Sequence, residues 1–217
     1  MKKFGIGDFL SDGFRFSTKP YSRAVILGVL FLLSFLIVPV FLVLGYVYRC
    51  IRRSLEGEDS LPEYGEWGRM FVDGVKLFVA YLILLIPVAL VSFAVSWGSI
   101  GLGVIPNPFA IISVMAAALT VSFVIALIIS IYLFMAIPYV VHTGKISSVF
   151  EYREIFDRIK RFGAGRYIAV VIVTMIMAWI LNLIGGLIPV IGVVLISPIA
   201  LLLLTRVQAM VFKETST

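Results

Sequence analysis

The sequence has very few of the residues with which proteins build metal centres and covalent active sites. Its 217 residues include one cysteine, Cys50, and one histidine, His142. A single cysteine excludes an intramolecular disulfide and a cysteine-based zinc site. His142 has no other ligand at metal-binding spacing, and a serine–histidine pair could use only this histidine. We therefore expect no catalytic residue, no metal site, no bound cofactor and no enzymatic activity.

Charge is also missing from three long stretches of the chain. The 18 basic and 12 acidic residues all fall within residues 1–23, 49–76, 145–166 and 206–214. The uncharged stretches between them are strongly apolar, and 61% of all residues are hydrophobic. An ionised group at the centre of a bilayer is costly, whereas about 20 apolar residues span it as a helix. The pattern predicts a single all-α integral membrane domain over residues 1–217.

The net charge of +6 does not indicate nucleic-acid binding, because basic and acidic residues alternate within the charged segments. A surface that follows phosphates needs charges of one sign on one face. The expected partners are membrane lipids, together with another membrane protein or a second copy of this chain.

Two of the apolar stretches predict helical hairpins with uncharged turns. Residues 77–144 are interrupted by glycines and prolines over 98–108, and residues 167–205 by Gly185-Gly186 and by Pro189. These hairpins place the charged segments from residue 49 onward on one side, with 13 of the 18 basic residues. The positive-inside rule makes that side, with the C-terminus, cytoplasmic in the cell membrane.

The first apolar stretch, residues 24–48, allows two interpretations. As one helix it sends the N-terminus outside. As a short or re-entrant hairpin with Pro39 at its tip, it keeps all 18 basic residues inside. We favour the hairpin, which gives about six membrane segments in three hairpins, against five for the single helix.

Two charged segments share an S-x-x-E pattern, at Ser60 and at Ser148, which is typical of a helix-capping box. Each pattern predicts a cytoplasmic amphipathic helix before a hairpin, and the N-terminus carries a weaker copy. We therefore predict three internal repeats, over residues 1–55, 56–144 and 145–214.

The predicted amphipathic helices fit a membrane interface or a protein surface equally well. Their candidate interfacial or partner-binding face consists of Trp67, Met70, Phe71, Ile155, Phe156 and Ile159. Asn182, the one amide well inside a predicted span, and Pro189 are candidates for lining a cavity.

A motif in residues 45–76 resembles an uncharacterised family of archaeal and bacterial membrane proteins, the domain-of-unknown-function family 4013. It consists of Gly45-Tyr46, Arg49, Arg52-Arg53, Gly57, Leu61-Pro62-Glu63, Trp67, Phe71, Asp73-Gly74 and Lys76. The resemblance implies a multi-spanning membrane protein without an assigned activity, and it supplies no catalytic residues.

The apolar stretches contain no carboxylate, which disfavours ion-coupled transport of a charged solute. The leading hypothesis is a non-enzymatic accessory or organising membrane component. The alternative is a passive permease, channel or lipid-binding protein that acts alone or as a homo-oligomer.

Overall fold

The structure, a computed structural model, describes residues 5–101, 108–188 and 190–216. All regular secondary structure in these ranges is helical. The α-helices are α1 (Ile6–Thr18), α2 (Tyr21–Leu32), α3 (Ile37–Glu56), α4 (Trp67–Gly101), α5 (Pro108–Thr143), α6 (Tyr152–Phe162), α7 (Ala164–Gly186), α8 (Ile191–Leu195) and α9 (Ser197–Ser216). Short 3-10 turns occupy Leu33–Phe35 and Ile146–Phe150.

Four helical segments in the described part of the chain are long and apolar enough to cross a membrane. They are Trp67–Ala94, Met115–Thr143, Ala164–Gly186 and Ile191–Ser216, with mean hydropathy from 2.0 to 2.7. Each has at least 23 residues, which exceeds the roughly 20 needed to span the hydrocarbon core. The predicted helical class is confirmed, and these apolar helices are consistent with the predicted membrane character. Four such segments are fewer than the about six predicted.

The first apolar stretch is not one continuous helix. The shorter apolar helix Tyr21–Phe35 ends at Leu36, whose backbone is extended (φ −87°, ψ 123°), and α3 begins at the next residue. Pro39 does not form the tip as predicted, because it is buried as the third residue of α3. A proline tolerates this position because the first N–H groups of a helix have no intrahelical partner.

The predicted capping boxes do not form. Residues 58–66 are not helical, so Ser60 opens no helix, and the segment from Trp67 is the beginning of α4 rather than a separate amphipathic helix. Ser148 lies in a 3-10 turn, and its hydroxyl donates to the Lys145 carbonyl at 2.6 Å. The amphipathic helix predicted after Ser148 is present as α6.

Close backbone contacts join α3 to α4 in antiparallel register. A Cβ atom at Gly45 would lie 1.8 Å from the Met70 carbonyl oxygen, and one at Gly74 would lie 1.8 Å from the Phe41 carbonyl oxygen. Glycine at both positions therefore lets the two backbones touch. Further along α4, the Ser92 hydroxyl lies 2.7 Å from that of Ser122 and links α4 to α5.

The hydrophobic core lies toward the charged ends of the helices. Its largest fully buried side chains include Phe9, Tyr46, Phe134, Tyr167 and Phe212. The more distant parts of α4 and α5 instead expose large apolar side chains, among them Leu90, Phe93, Leu119, Phe123 and Ile128. Exposed apolar surface of this extent is expected where lipid is the solvent.

Candidate functional site

The guanidinium of Arg206, on α9, contacts several polar groups at once. Its Nε lies 2.8 Å from an Asp12 carboxylate oxygen, and its Nη1 donates to the Glu58 carbonyl at 2.8 Å. Its Nη2 bonds the Asp59 carboxylate, and the cation lies 4.8 Å from the centre of the Phe16 ring. Arg206 is only 6% exposed, and a buried charge requires such partners. The residue thereby joins α1, the loop after α3, and α9.

The loop of residues 57–66 is held by donors from the start of α2 and the end of α3. The Leu61 carbonyl accepts from both Arg23 and Arg53. The next carbonyl, of Pro62, accepts from the Tyr46 hydroxyl at 3.1 Å. Both ends of the first apolar stretch therefore meet at the same short loop.

Tyr64 completes this attachment. Its hydroxyl donates to the Arg23 carbonyl at 2.7 Å, and its ring stacks on that of Tyr46 with centroids 4.5 Å apart. Burial raises the pKa of Tyr64 above its ordinary value, so the phenol remains protonated and can donate. Arg49 extends the contact by donating to the Gly65 carbonyl at 2.7 Å.

Two further arginines connect α9 to α6 and α7. Arg158 lies 2.9 Å from the Glu154 carboxylate, donates to the Ser216 hydroxyl at 2.8 Å, and lies 4.7 Å from the Phe212 ring centre. Arg166 donates to both carboxylate oxygens of Glu214, at 2.7 and 3.2 Å. These bonds fix the last turns of α9 against its neighbours.

An open pocket of about 270 Å³ lies beside the loop of residues 57–66. It is lined by Arg49, Arg52, Arg53, Glu56, Pro62 and Glu63. Arg52 is paired with Glu56 at 3.1 Å, and Arg53 with Glu58 at 2.9 Å. Internal pairing and mixed charge make this pocket a solvated surface rather than an anion site.

The structure separates the residues of the predicted interfacial face. Trp67 and Phe156 are exposed, at 49% and 52%. Met70, Ile155 and Ile159 are buried in the protein. Phe71 is half-buried, and its ring packs edge-on against Phe41 at 5.1 Å. Trp67 and Phe156 are therefore the most exposed members of the face.

The other candidate positions lie apart from this region. Asn182 is exposed, and its side-chain amide donates to the Ala178 carbonyl of its own helix at 2.8 Å. Pro189 lies outside the described residues. Cys50 is buried, His142 packs at 5.5 Å from the Phe212 ring, and no group of three metal-ligating side chains occurs within the described ranges.

Sequence reasoning missed the role of Arg206. Arg206 follows directly on the apolar stretch 167–205, but nothing in the sequence pairs it with Asp12. The one hint in the sequence was that both residues lie in charged segments beside apolar stretches. Many other charged residues of this chain share that position, so the hint did not identify the pair.

The chain matches no curated protein and no solved structure. A family model described as "Protein of unknown function (DUF4013)" matches residues 29–190. The match covers most of the chain, including the loop of residues 57–66 and the α4–α5 pair, and it confirms the resemblance seen in the motif of residues 45–76. The chain belongs to the DUF4013 family of proteins of unknown function.

Proposed function

We propose that this protein is a non-enzymatic, multi-pass membrane component that organises or accompanies other membrane proteins. The observation that carries the proposal is the internal pairing of its arginines. Arg166 on α7 pairs with Glu214 on α9, and Arg206 on α9 pairs with Asp12 on α1. Arg158 pairs with Glu154 within α6 and reaches α9 through its bond to the Ser216 hydroxyl. Such groups stabilise a helical assembly and are not available as free acids, bases or ligands.

The proposal includes a membrane topology. We place the three apolar stretches as hairpins, the first of them short and re-entrant, with all charged segments on the cytoplasmic side of the cell membrane. Support comes from Arg23 and Arg53, which precede and follow the first stretch and donate to the same Leu61 carbonyl. A single crossing would place these residues on opposite sides of the bilayer. The three repeats, over residues 1–55, 56–144 and 145–214, correspond to the same three hairpins.

The partner-binding surface in this proposal includes Trp67 and Phe156. Exposed aromatic side chains at the charged end of a membrane protein contact lipid headgroups or a second protein. Tyr132, which contacts Phe156 with ring centroids 6.1 Å apart, holds that side chain beside α5. A change at either exposed position should affect association while leaving the core intact.

The test is purification in mild detergent from native membranes, followed by native mass spectrometry. We expect a second protein in fixed stoichiometry with the unmodified chain. Trp67→Glu combined with Phe156→Glu should release it. Phe14→Glu, at a similarly exposed aromatic residue of α1, should not. Unchanged gel-filtration behaviour shows that each variant is folded. Retention of the partner by the double variant would contradict the proposed surface.

The alternative is a passive permease, channel or lipid-binding protein. Asn182 gives the permease no support, because its amide bonds its own helix and is exposed. A chain recovered alone or as a homo-oligomer, with a retained solute or lipid, would favour this alternative over the accessory role.

A further inference from the structure

The turn between α2 and α3 presents consecutive apolar side chains that the described part of the chain leaves more than half exposed. Phe35, Leu36, Ile37 and Val38 are 79%, 52%, 75% and 58% exposed. These four residues are called the apolar tip below. Surface of this kind is unfavourable in water, so an apolar medium or a partner must cover it.

The packing of α3 on α4 fixes the level of the apolar tip. Gly45 contacts the backbone of Met70, and Gly74 contacts that of Phe41. The two helices are therefore antiparallel, and a residue nearer the start of α3 lies beside a residue further along α4. By this register Ile37 lies level with Phe78, whose ring is 5.2 Å from that of Phe41.

Residue 78 is close to the charged end of α4. The last charged residue before the apolar part of this helix is Lys76, which pairs with Asp73. At a rise of about 1.5 Å per residue, the apolar tip lies roughly 5 Å beyond Lys76. A hydrocarbon core about 30 Å thick that begins near Lys76 would end near Trp97. The apolar tip is therefore in the half of the bilayer nearer the charged side.

The backbone of the turn requires the same shallow position. Leu36 is extended, and the first N–H groups of α3 have no intrahelical acceptor. Irregular backbone exposed to lipid is not tolerated deep in the hydrocarbon region. A few ångströms from the headgroups, water and lipid oxygens can satisfy these groups.

We propose that the apolar tip inserts into the acyl chains of one leaflet only, the cytoplasmic leaflet in the topology proposed above. The hairpin of α2 and α3 is then a shallow wedge, while α4 and α5 cross the whole bilayer beside it. Lipid is the occupant because the tip lies level with Phe78 and continues into the exposed apolar surface of α4 formed by Leu82, Leu85 and Ile86.

The experiment measures depth with a fluorescent label on the purified full chain in phosphatidylcholine vesicles. In a Cys50→Ser background, Leu36→Cys and, separately, Ile37→Cys carry an environment-sensitive nitrobenzoxadiazole label. Lipids with spin labels near the headgroup or near the acyl-chain end then quench it. Ile86→Cys is the deep control, since it lies 10 residues past Lys76, about 15 Å at the helical rise. Ser11→Cys is the aqueous control.

We expect the label at positions 36 and 37 to show blue-shifted emission and stronger quenching by the shallow spin label than by the deep one. The ratio should reverse at position 86, and position 11 should show neither effect. Quenching at position 36 with the depth profile of position 86 would overturn the shallow position. An aqueous spectrum, or a blue-shifted spectrum that neither lipid quenches, would show that water or another protein surface faces the tip, and would overturn lipid as the occupant.

The result is independent of the accessory role, because the vesicles contain only this protein. Loss of partner binding by the Trp67 and Phe156 double variant leaves the depth ratio at position 36 unchanged. Failure of the depth test likewise leaves the association test unaffected.

Discussion

Arg206 and Asp12 lie 194 residues apart in the chain and form an ion pair of 2.8 Å. The arginine side chain is 7% exposed, and the carboxylate is 22% exposed. Because the same guanidinium binds Glu58 and Asp59, it links the first helix, the loop after α3 and the last helix. The two ends of the chain are thus held together at the charged end of the helical bundle.

Replacing this arginine should destabilise the whole protein. Arg206→Met keeps much of the side-chain length but removes the buried donor that the Asp12 carboxylate, the Asp59 carboxylate and the Glu58 carbonyl share. Breaking a buried ion pair on one side costs about 3–5 kcal/mol. We expect a clearly lower unfolding temperature in detergent, measured by the loss of helical circular dichroism, and faster proteolysis of α1.

A neighbouring ion pair supplies the control. Arg15 lies 3.4 Å from the same Asp12 carboxylate, but its side chain is 63% exposed. Surface pairs of this kind contribute about 0–1 kcal/mol, so Arg15→Met should leave the unfolding temperature nearly unchanged. Equal effects of the two substitutions would contradict the role assigned to Arg206.

The close contact between α3 and α4 predicts that two glycine-to-alanine substitutions on α4 have very different effects on stability. Gly74→Ala introduces a Cβ atom 1.8 Å from the Phe41 carbonyl oxygen, which must move the two helices apart. Overpacking of this kind typically costs about 1–3 kcal/mol. We expect a lower unfolding temperature in detergent, with an unchanged helical signal below the transition.

Gly68→Ala is the matched control on the same helix. A Cβ atom at Gly68 meets no atom within 4 Å, and alanine favours a helix over glycine by about 1 kcal/mol. This variant should be as stable as the unmodified chain or more so. If Gly74→Ala proved equally harmless, the close antiparallel packing of α3 and α4 would be wrong.

Much of the fold follows from where charge is absent. The stretches 77–144 and 167–205 predicted helices that cross a bilayer, and these regions supply α4, α5, α7 and α9. Gly185-Gly186 predicted the break at which α7 ends. These features were predictable because they depend on local sequence alone. Charged residues avoid the bilayer core, and glycine pairs interrupt helices, and a single sequence shows both.

The details that depend on tertiary contacts were not predictable. Ser60 has the pattern of a helix cap, yet Leu61 and Pro62 supply their carbonyls to Arg23, Arg53 and Tyr46, and no helix starts there. The reversal at Leu36 rather than Pro39 likewise reflects how α3 packs. An amphipathic pattern also cannot separate a side chain buried by protein from one that faces lipid.

Helix α6 shows most directly that an amphipathic pattern does not separate protein-buried side chains from lipid-facing ones. Ile155 is fully buried, whereas Phe156, the next residue, is 52% exposed. The sequence placed both on one apolar face, and that grouping was consistent with helical periodicity. Whether Ile155 or Phe156 is covered depends on how α5 and α9 pack against α6. Those two helices come from distant parts of the chain.

The central claim is that all charged segments lie on one side of the membrane, and thiol labelling in intact cells tests it most directly. In a Cys50→Ser background, single cysteines replace Ser11 on α1, Asp59 in the loop after α3, and Leu187 between α7 and α8. We predict that a membrane-impermeant reagent labels position 187 in intact cells, and that positions 11 and 59 react only after permeabilisation. Labelling of position 11 in intact cells, with position 59 protected, would show that residues 24–48 cross the membrane once and would contradict the claim.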